Sequence, residues 1–263
     1  MNKRTPLVAI LTMGIFSFLF GQDLSAFEKR TFVDAQGDTL RYRILYPAKY
    51  KRDRQYPFVL FLHGAGERGQ DNEKQLTHGA RMWTDKANRK KFPAIVVFPQ
   101  CETDDYWAHM TVNEVEGVRY RDFPIQQEPK PSLSRVMQLV DELLQTESID
   151  PARQYVMGLS MGAMGTFELL SRMPDRFAAA VPICGGGDPS LTLRYAPYTS
   201  IWIFHGDQDD VVLPEYSRRM HKALQSAGGR VRYTEYLGVN HNSWDPAFAE
   251  KELLPWLFSH RRQ

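Results

Sequence analysis

YVMGLSMGAMGTFELL (residues 155–170) decides the fold. Its first five residues, 155–159, are an apolar run that stops at Ser160. A helix-like stretch over 162–173 follows and ends before Pro174, because the residue ahead of a proline is driven out of the helical region. Between the two, Gly158, Ser160 and Gly162 spell G-x-S-x-G in the strand-to-helix setting that gives this pentapeptide meaning. A residue at so sharp a turn has a strained backbone, and its neighbours two positions away come very close, so side chains at Gly158 and Gly162 would clash. The turn lifts the Ser160 hydroxyl clear of the sheet, at a helix N-terminus whose dipole favours negative charge. The competing reading is a serine-capped helix with glycines for packing.

Working outward, 39–46 (TLRYRILY) alternates as a half-buried strand does. The runs 57–62, 94–98, 178–183, 201–204 and 231–236 read as further strands. Runs apolar on both faces suit parallel strands covered by helices on each side. Helical periodicity lies between them, over 133–147, 214–227 and 246–257, where Pro255 must end or kink the last. The alternation predicts an α/β class with a doubly wound, mostly parallel sheet and helices on both faces.

Residues 101–131 break this alternation. They lack a clear period, hold Tyr106, Trp107, His109, Tyr120 and Phe123, and follow a strand C-terminus. They read as a cap-like loop walling the site, with Tyr106 and Trp107 as substrate contacts. Trp244, three residues beyond His241, is a third such candidate.

A serine hydroxyl needs a base. Of seven histidines, His63 and His205 each precede glycine at a strand end and read as loop supports. His78, His109, His221 and His260 lie on polar stretches and read as surface residues. His241 follows the last strand, where the chain order Ser, acid, His places the base. The acid should follow the 201–204 run, in HGDQDDVV (205–212). Asp207, Asp209 and Asp210 all qualify by spacing, and turn or capping roles are the alternative for Asp207 and Asp210. Two oxyanion donors are expected: the N–H of Met161 and one from the loop HGAGERG (63–69), at Ala65.

These residues resemble the α/β-hydrolase superfamily. More narrowly, the chain resembles the predicted-peptidase and phospholipase/carboxylesterase branch, near dienelactone hydrolase-like and feruloyl esterase-like proteins. The likeness is carried by LFLHGAGERGQDN (60–72), VVFPQC (96–101), the segment 149–169, FAAAVPICGGGDP (177–189), IWIFHGDQDDVV (201–212) and YTEYLGVNHNSWDPAF (233–248). In such proteins the acid is the fifth residue of the HGxxD pattern, so the resemblance implies Asp209 as acid, with Ser160 as nucleophile and His241 as base. It also implies Ala65 and Met161 as oxyanion donors. Relatives commonly carry Gly and an aromatic where this chain has Ala163-Met164, which puts the local pocket wall in doubt but not the chemistry.

The rest of the sequence narrows the class. Of 263 residues, 43% are hydrophobic and 24% charged, values that exclude disorder for the bulk of the chain. A net charge of +2 gives no electrostatic reason to expect nucleic acid. No HExxH, Walker or GxGxxG motif is present, so neither a metal nor an organic cofactor is expected. Residues 1–21 read as a signal peptide, with Lys3 and Arg4 ahead of an apolar run, leaving 22–263 as one domain. A secreted or periplasmic location without stable membrane insertion follows. Cys101 and Cys184 are expected to be free and buried rather than paired.

The leading expectation is a serine hydrolase cleaving a small-molecule or glycan-linked carboxylic ester through an acyl-enzyme, with aryl esters suggested by the aromatic loop. A small peptidase or amidase shares the machinery. A noncatalytic binding module would show a broken triad, and a membrane-interface lipase would need an exposed apolar lid.

Overall fold

The protein is described by a computed structural model covering residues 24–262, so the expected leader, 1–21, lies outside the described residues. One sheet of eight strands has the spatial order β1 (Glu28–Val33), β2 (Thr39–Leu45), β4 (Ile95–Pro99), β3 (Tyr56–Leu62), β7 (Ile149–Leu159), β8 (Ala179–Ile183), β9 (Ser200–Gly206) and β10 (Val231–Tyr236). From β4 to β10 all neighbours are parallel, while β1 and β2 are antiparallel additions at one edge. The chain runs from β3 outward to β4 on one side and later enters β7 on the other. The carboxyl ends of β3 and β7 are therefore a topological switch point, with Leu62 in register with Gly158. Ser160 follows one of these ends and the loop bearing Ala65 follows the other.

Both faces of the central strands are apolar, as parallel strands require. Phe58, Leu60, Leu62, Val156 and Ile203 face one way, toward α3 (Pro131–Thr146), α4 (Met161–Arg172) and α6 (Glu215–Ser226). Val59, Phe61, Met157, Trp202 and Phe204 face the other, toward α1 (Ala80–Thr84), α7 (Trp244–Ala249) and α8 (Leu253–Ser259). Burying each such side chain is worth about 1.5–3 kcal/mol, so the alternation itself locks the register. Two further helices are short, α2 (Lys86–Lys91) and α5 (Thr192–Tyr195). This is the α/β-hydrolase fold.

Three expectations need correction. The single helix expected over 246–257 is two helices, α7 and α8, and both Pro246 and Pro255 sit in a first turn, where the missing N–H leaves no bond unmade. The excursion 101–131 is not without regular structure: β5 (Thr111–Val115) and β6 (Val118–Asp122) pair as a hairpin. Its turn residues, Glu116 and Gly117, both have positive φ (53° and 77°), the signature of a two-residue type I′ turn. All five β5 residues are exposed, so no apolar alternation marked the strand. The four histidines expected at the surface are half-buried: three pack their rings on neighbours, His78 on Trp244, His221 on Tyr233 and His260 on Trp256, and His109 Nε2 lies 2.9 Å from the Glu128 carbonyl oxygen.

Strand β1 also escaped the sequence pattern. Only Phe32 of its six residues is buried, and its charged residues suit an edge that must discourage pairing with other chains. Among the described residues, no helix is long and apolar enough to cross a membrane. Cys101 and Cys184 are buried free thiols.

Candidate active site

Ser160 stands between β7 and α4 with φ 51° and ψ −115°, a positive-φ backbone that non-glycine residues rarely adopt. Its N–H donates to the Ile183 carbonyl of β8 at 2.8 Å, which pins the strained turn to the sheet. A Cβ at Gly158 would lie 2.2 Å from the Gly162 carbonyl oxygen, and one at Gly162 would lie 1.9 Å from that of Leu62. Both glycines are therefore demanded by backbone contact, as the sequence predicted. Ala163 and Met164 turn inward: Ala163 packs under Gly185, and Met164 is buried in a small cluster with Ala108, Val212 and Tyr216.

The structure brings Asp209 and His241 to Ser160. His241 Nδ1 lies 2.7 Å from Asp209 Oδ2, and His241 Nε2 lies 3.0 Å from Ser160 Oγ. The carboxylate accepts, so Nδ1 carries the hydrogen and Nε2 is left to accept from the serine hydroxyl. Asp207 and Asp210 do not reach His241. Asp207 Oδ1 accepts the Gly238 N–H, and Asp210 is exposed, its N–H donating to Asn240 Oδ1.

Asp209 is buried and fully engaged. Its Oδ1 accepts the N–H groups of Val211 (2.9 Å) and Val212 (2.8 Å), and its Oδ2 faces His205 Nε2 at 3.1 Å as well as His241. Burial pushes its pKa up, but hydrogen bonds from His205, His241 and the Val212 N–H outweigh this and hold it below the usual carboxylate range. His205 Nε2 has two acceptors before it, Asp209 Oδ2 and the Val212 carbonyl at 2.8 Å, so this nitrogen carries a hydrogen. Its Nδ1 lies 2.7 Å from Ser217 Oγ of α6. The sequence reading made His205 a loop support and missed that it grips the acid directly. It also missed Asn240, whose Oδ1 accepts from the N–H groups of both His241 and Asp210 and so ties the loop of the base to that of the acid. Asn240 precedes the histidine, and an Asn there was a readable hint of a loop-bracing side chain.

Met161 and Ala65, the expected oxyanion donors, each open a helix: Met161 starts α4, and Ala65 starts a short 3-10 turn, Ala65–Glu67. N–H groups of a first turn have no acceptor within their own helix. The Ala65 loop is braced by Arg68, whose Nε donates to the Ala65 carbonyl at 3.0 Å and whose guanidinium lies 5.0 Å from the Tyr106 ring centre. Behind it His63 is buried, which lowers its pKa to about 4 and leaves the ring neutral, with Nε2 accepting the Cys101 N–H at 3.0 Å.

Trp107 is placed differently from expectation. It is fully buried, its indole N–H donating to the His63 carbonyl at 3.0 Å and its Cβ seated against Gly165 of α4. It fastens the excursion to the site's floor and offers no face to a substrate. Tyr106 is half-buried over Arg68. Trp244 is half-buried and stands edge-on to His241, with ring centres 5.4 Å apart.

Cys184, Asp209 and His241 each offer a potential metal-ligand atom within 4.8 Å of the others. The Asp209 and His241 atoms are engaged with one another, and burial pushes the Cys184 thiol well above its ordinary range, away from the thiolate a metal would need.

A family model of phospholipases and carboxylesterases matches residues 48–251. A crystal structure of a thermostable esterase superposes with a TM-score of 0.81 at 38% identity, covering 91% of this chain and 64% of that one. The ferulic acid esterase of Anaeromyces mucronatus superposes with a TM-score of 0.62 at 15% identity, covering 87% of this chain and 89% of that one. Poly(3-hydroxyalkanoate) depolymerase C of Paucimonas lemoignei is 35% identical over 143 residues, 54% of this chain and 31% of the depolymerase. A bifunctional acetylxylan esterase/xylanase of Neocallimastix patriciarum is 26% identical over 59% of this chain and 20% of its own length. The chain thus spans less than a third of the length of these two curated relatives. With the matched model covering most of the sheet and every residue of the Ser160–His241–Asp209 constellation, the chain belongs to the phospholipase/carboxylesterase family of α/β hydrolases.

Proposed function

We propose that this chain is a serine hydrolase that cleaves carboxylic esters through an acyl-enzyme. The carrying observation is the continuous hydrogen-bond path Ser160 Oγ, His241 Nε2, His241 Nδ1, Asp209 Oδ2, at 3.0 and 2.7 Å. Ser160 Oγ attacks the ester carbonyl carbon while its proton passes to His241 Nε2. The N–H groups of Ala65 and Met161 stabilise the oxyanion as the tetrahedral species forms. The C–O bond to the alcohol then breaks, and the leaving oxygen takes the proton from His241. Water attacks the acyl-enzyme by the same route in reverse, releasing the acid and restoring Ser160. Asp209 keeps the imidazole in the tautomer that accepts from serine and stabilises its cationic form. Every step uses side chains and backbone already in place.

The names of the relatives support an ester with a carbohydrate or polyester alcohol half: an acetylxylan esterase, ferulic acid esterases and a polyhydroxyalkanoate depolymerase. A site of action outside the cytoplasm is supported by the leader pattern of residues 1–21 and by likeness to a protein described as an uncharacterized secreted protein of Arthroderma benhamiae. The intact triad geometry argues against a noncatalytic module.

The test is hydrolysis of p-nitrophenyl acetate, butyrate and octanoate, methyl ferulate and a short peptide anilide by the chain and by Ser160→Ala. Ester turnover that vanishes in the variant is expected. Turnover confined to the anilide would move the assignment to an amidase, and no Ser160-dependent turnover would overturn it.

A further inference from the structure

The triad leaves a large groove unused. This groove of about 660 Å³ runs between α1 and α7, within the range of about 300–1,000 Å³ typical of ligand clefts. Two of its lining side chains, Trp244 and His78, touch the proposed catalytic parts. Trp244 stands edge-on to His241 and also tilts against His78, with ring centres 5.0 Å apart. His78 Nε2 in turn lies 3.8 Å from Glu67, the last residue of the turn that begins at Ala65. The base, the indole, His78 and the oxyanion loop are therefore linked by successive contacts, and the indole and His78 belong to the groove lining.

The chemistry says which half of an ester must run this way. In acyl transfer the leaving oxygen takes its proton from the base, so the alcohol half lies on the side of His241. We propose that the groove between α1 and α7 is the subsite for the alcohol half of the substrate, and that this half is a neutral polyhydroxylated chain, as in a glycosyl oligomer. The assignment rests on the reading of Ser160 and His241 as nucleophile and base.

The lining identifies the ligand class. Trp244, Phe248 and Met82 supply half-buried apolar surface. Arg81, Asp85 and Asp245 place hydrogen-bonding groups around it, with one positive and two negative charges. Such a mixture sets up no strong field of one sign, so it selects neither an anion nor a cation. It is too polar for a purely aliphatic chain, whose burial would strip charged groups of water without return. A sugar ring offers both apolar C–H faces for aromatic contact and hydroxyls for the polar rim.

The direct test uses Ser160→Ala, which removes turnover, titrated with xylohexaose and followed by tryptophan fluorescence and isothermal calorimetry. Saturable binding is expected. Ala249→Trp and Arg81→Trp, at exposed positions lining the groove, are each expected to weaken it at least tenfold. In the otherwise unaltered chain, the same two variants should lower the ratio of kcat/KM for acetylated xylohexaose to that for p-nitrophenyl acetate at least tenfold. Ser160-dependent ester turnover without xylohexaose binding would overturn the subsite and spare the hydrolase. Binding of a 3-hydroxybutyrate oligomer in place of xylohexaose would overturn the ligand class. Absence of Ser160-dependent turnover on every ester would overturn the reading on which the subsite rests.

Discussion

His205 and His241 close on the same oxygen, Oδ2 of Asp209, at 3.1 and 2.7 Å. The acid is thus oriented from two sides, and its other oxygen is filled by two backbone N–H groups. His205 belongs to β9 and is tied to α6 through Ser217, so the position of the acid is set by the sheet and not only by its own loop. Asp209→Asn is expected to lower kcat by about 10³–10⁴-fold, because an amide no longer fixes the reactive imidazole tautomer. His205→Gln should cost far less, since His241 and both N–H groups still hold the carboxylate. The double variant should be less than additive, as both changes act on one oxygen. Steady-state kinetics on a p-nitrophenyl ester measures all three. Strict additivity would show that His205 has no part in holding Asp209.

The oxyanion donor proposed at Ala65 can be tested by removing its N–H. Ala65 is the first residue of a 3-10 turn, where proline's fixed φ fits and its missing N–H breaks no helical bond. Gly64 before it is extended (φ −78°, ψ 177°), the conformation that a following proline favours. Ala65→Pro should therefore fold normally and lose about 10²–10³-fold in kcat with little change in KM. The same exchange at Met161 would fail for a separate reason, because Ser160 ahead of it sits at φ 51°. Unaltered kcat in a folded Ala65→Pro protein would remove Ala65 from the oxyanion hole.

One buried ion pair fastens the excursion beyond Trp107 to α4. Arg172 donates to Glu168 and to the carbonyls of Gln126, Gln127 and Glu128, while Glu168 Oε2 accepts the His109 N–H. Both side chains are at least nine-tenths buried. Arg172→Ala leaves Glu168 charged and buried without its partner, a change that costs about 3–5 kcal/mol. Chemical denaturation should show that loss. Hydrogen exchange should show it concentrated in residues 109–130, ahead of the sheet.

The sheet and the placement of Ser160 at its turn were legible because their signals are local and strong. The central strands are apolar on both faces, and Gly158 and Gly162 carry the strain of the turn at Ser160 in their identity. Choosing Asp209 over Asp207 and Asp210 was beyond spacing, since all three lie on one loop and only packing against His205 and His241 separates them. Strands β1 and β5 were hidden because all of their residues but Phe32 face solvent, so no buried face imposes an apolar alternation. Trp107 was misplaced because an aromatic residue in a polar excursion reads the same whether it faces a ligand or the core. Its neighbour Gly165, which makes room for it, lies 58 positions away in the chain.

His63 makes stability depend on pH in a window that can be named. Burial lowers its folded-state pKa to about 4 against an ordinary value near 6.5. Above about pH 6.5 neither folded nor unfolded chain binds a proton there. As the pH falls from about 6.5 to about 4, the unfolded chain takes a proton that the folded one refuses, so stability drops with falling pH. The loss levels off below about pH 4, at about 3 kcal/mol. Structure gives the reason for the refusal: Nε2 already accepts the Cys101 N–H, and a proton there would set two N–H groups against each other. His63→Gln retains an acceptor for Cys101 but does not titrate. Urea midpoints measured between pH 7.5 and 4.0 should fall less steeply in this variant than in the parent chain. Parallel curves for the two proteins would show that His63 is not the residue that resists protonation.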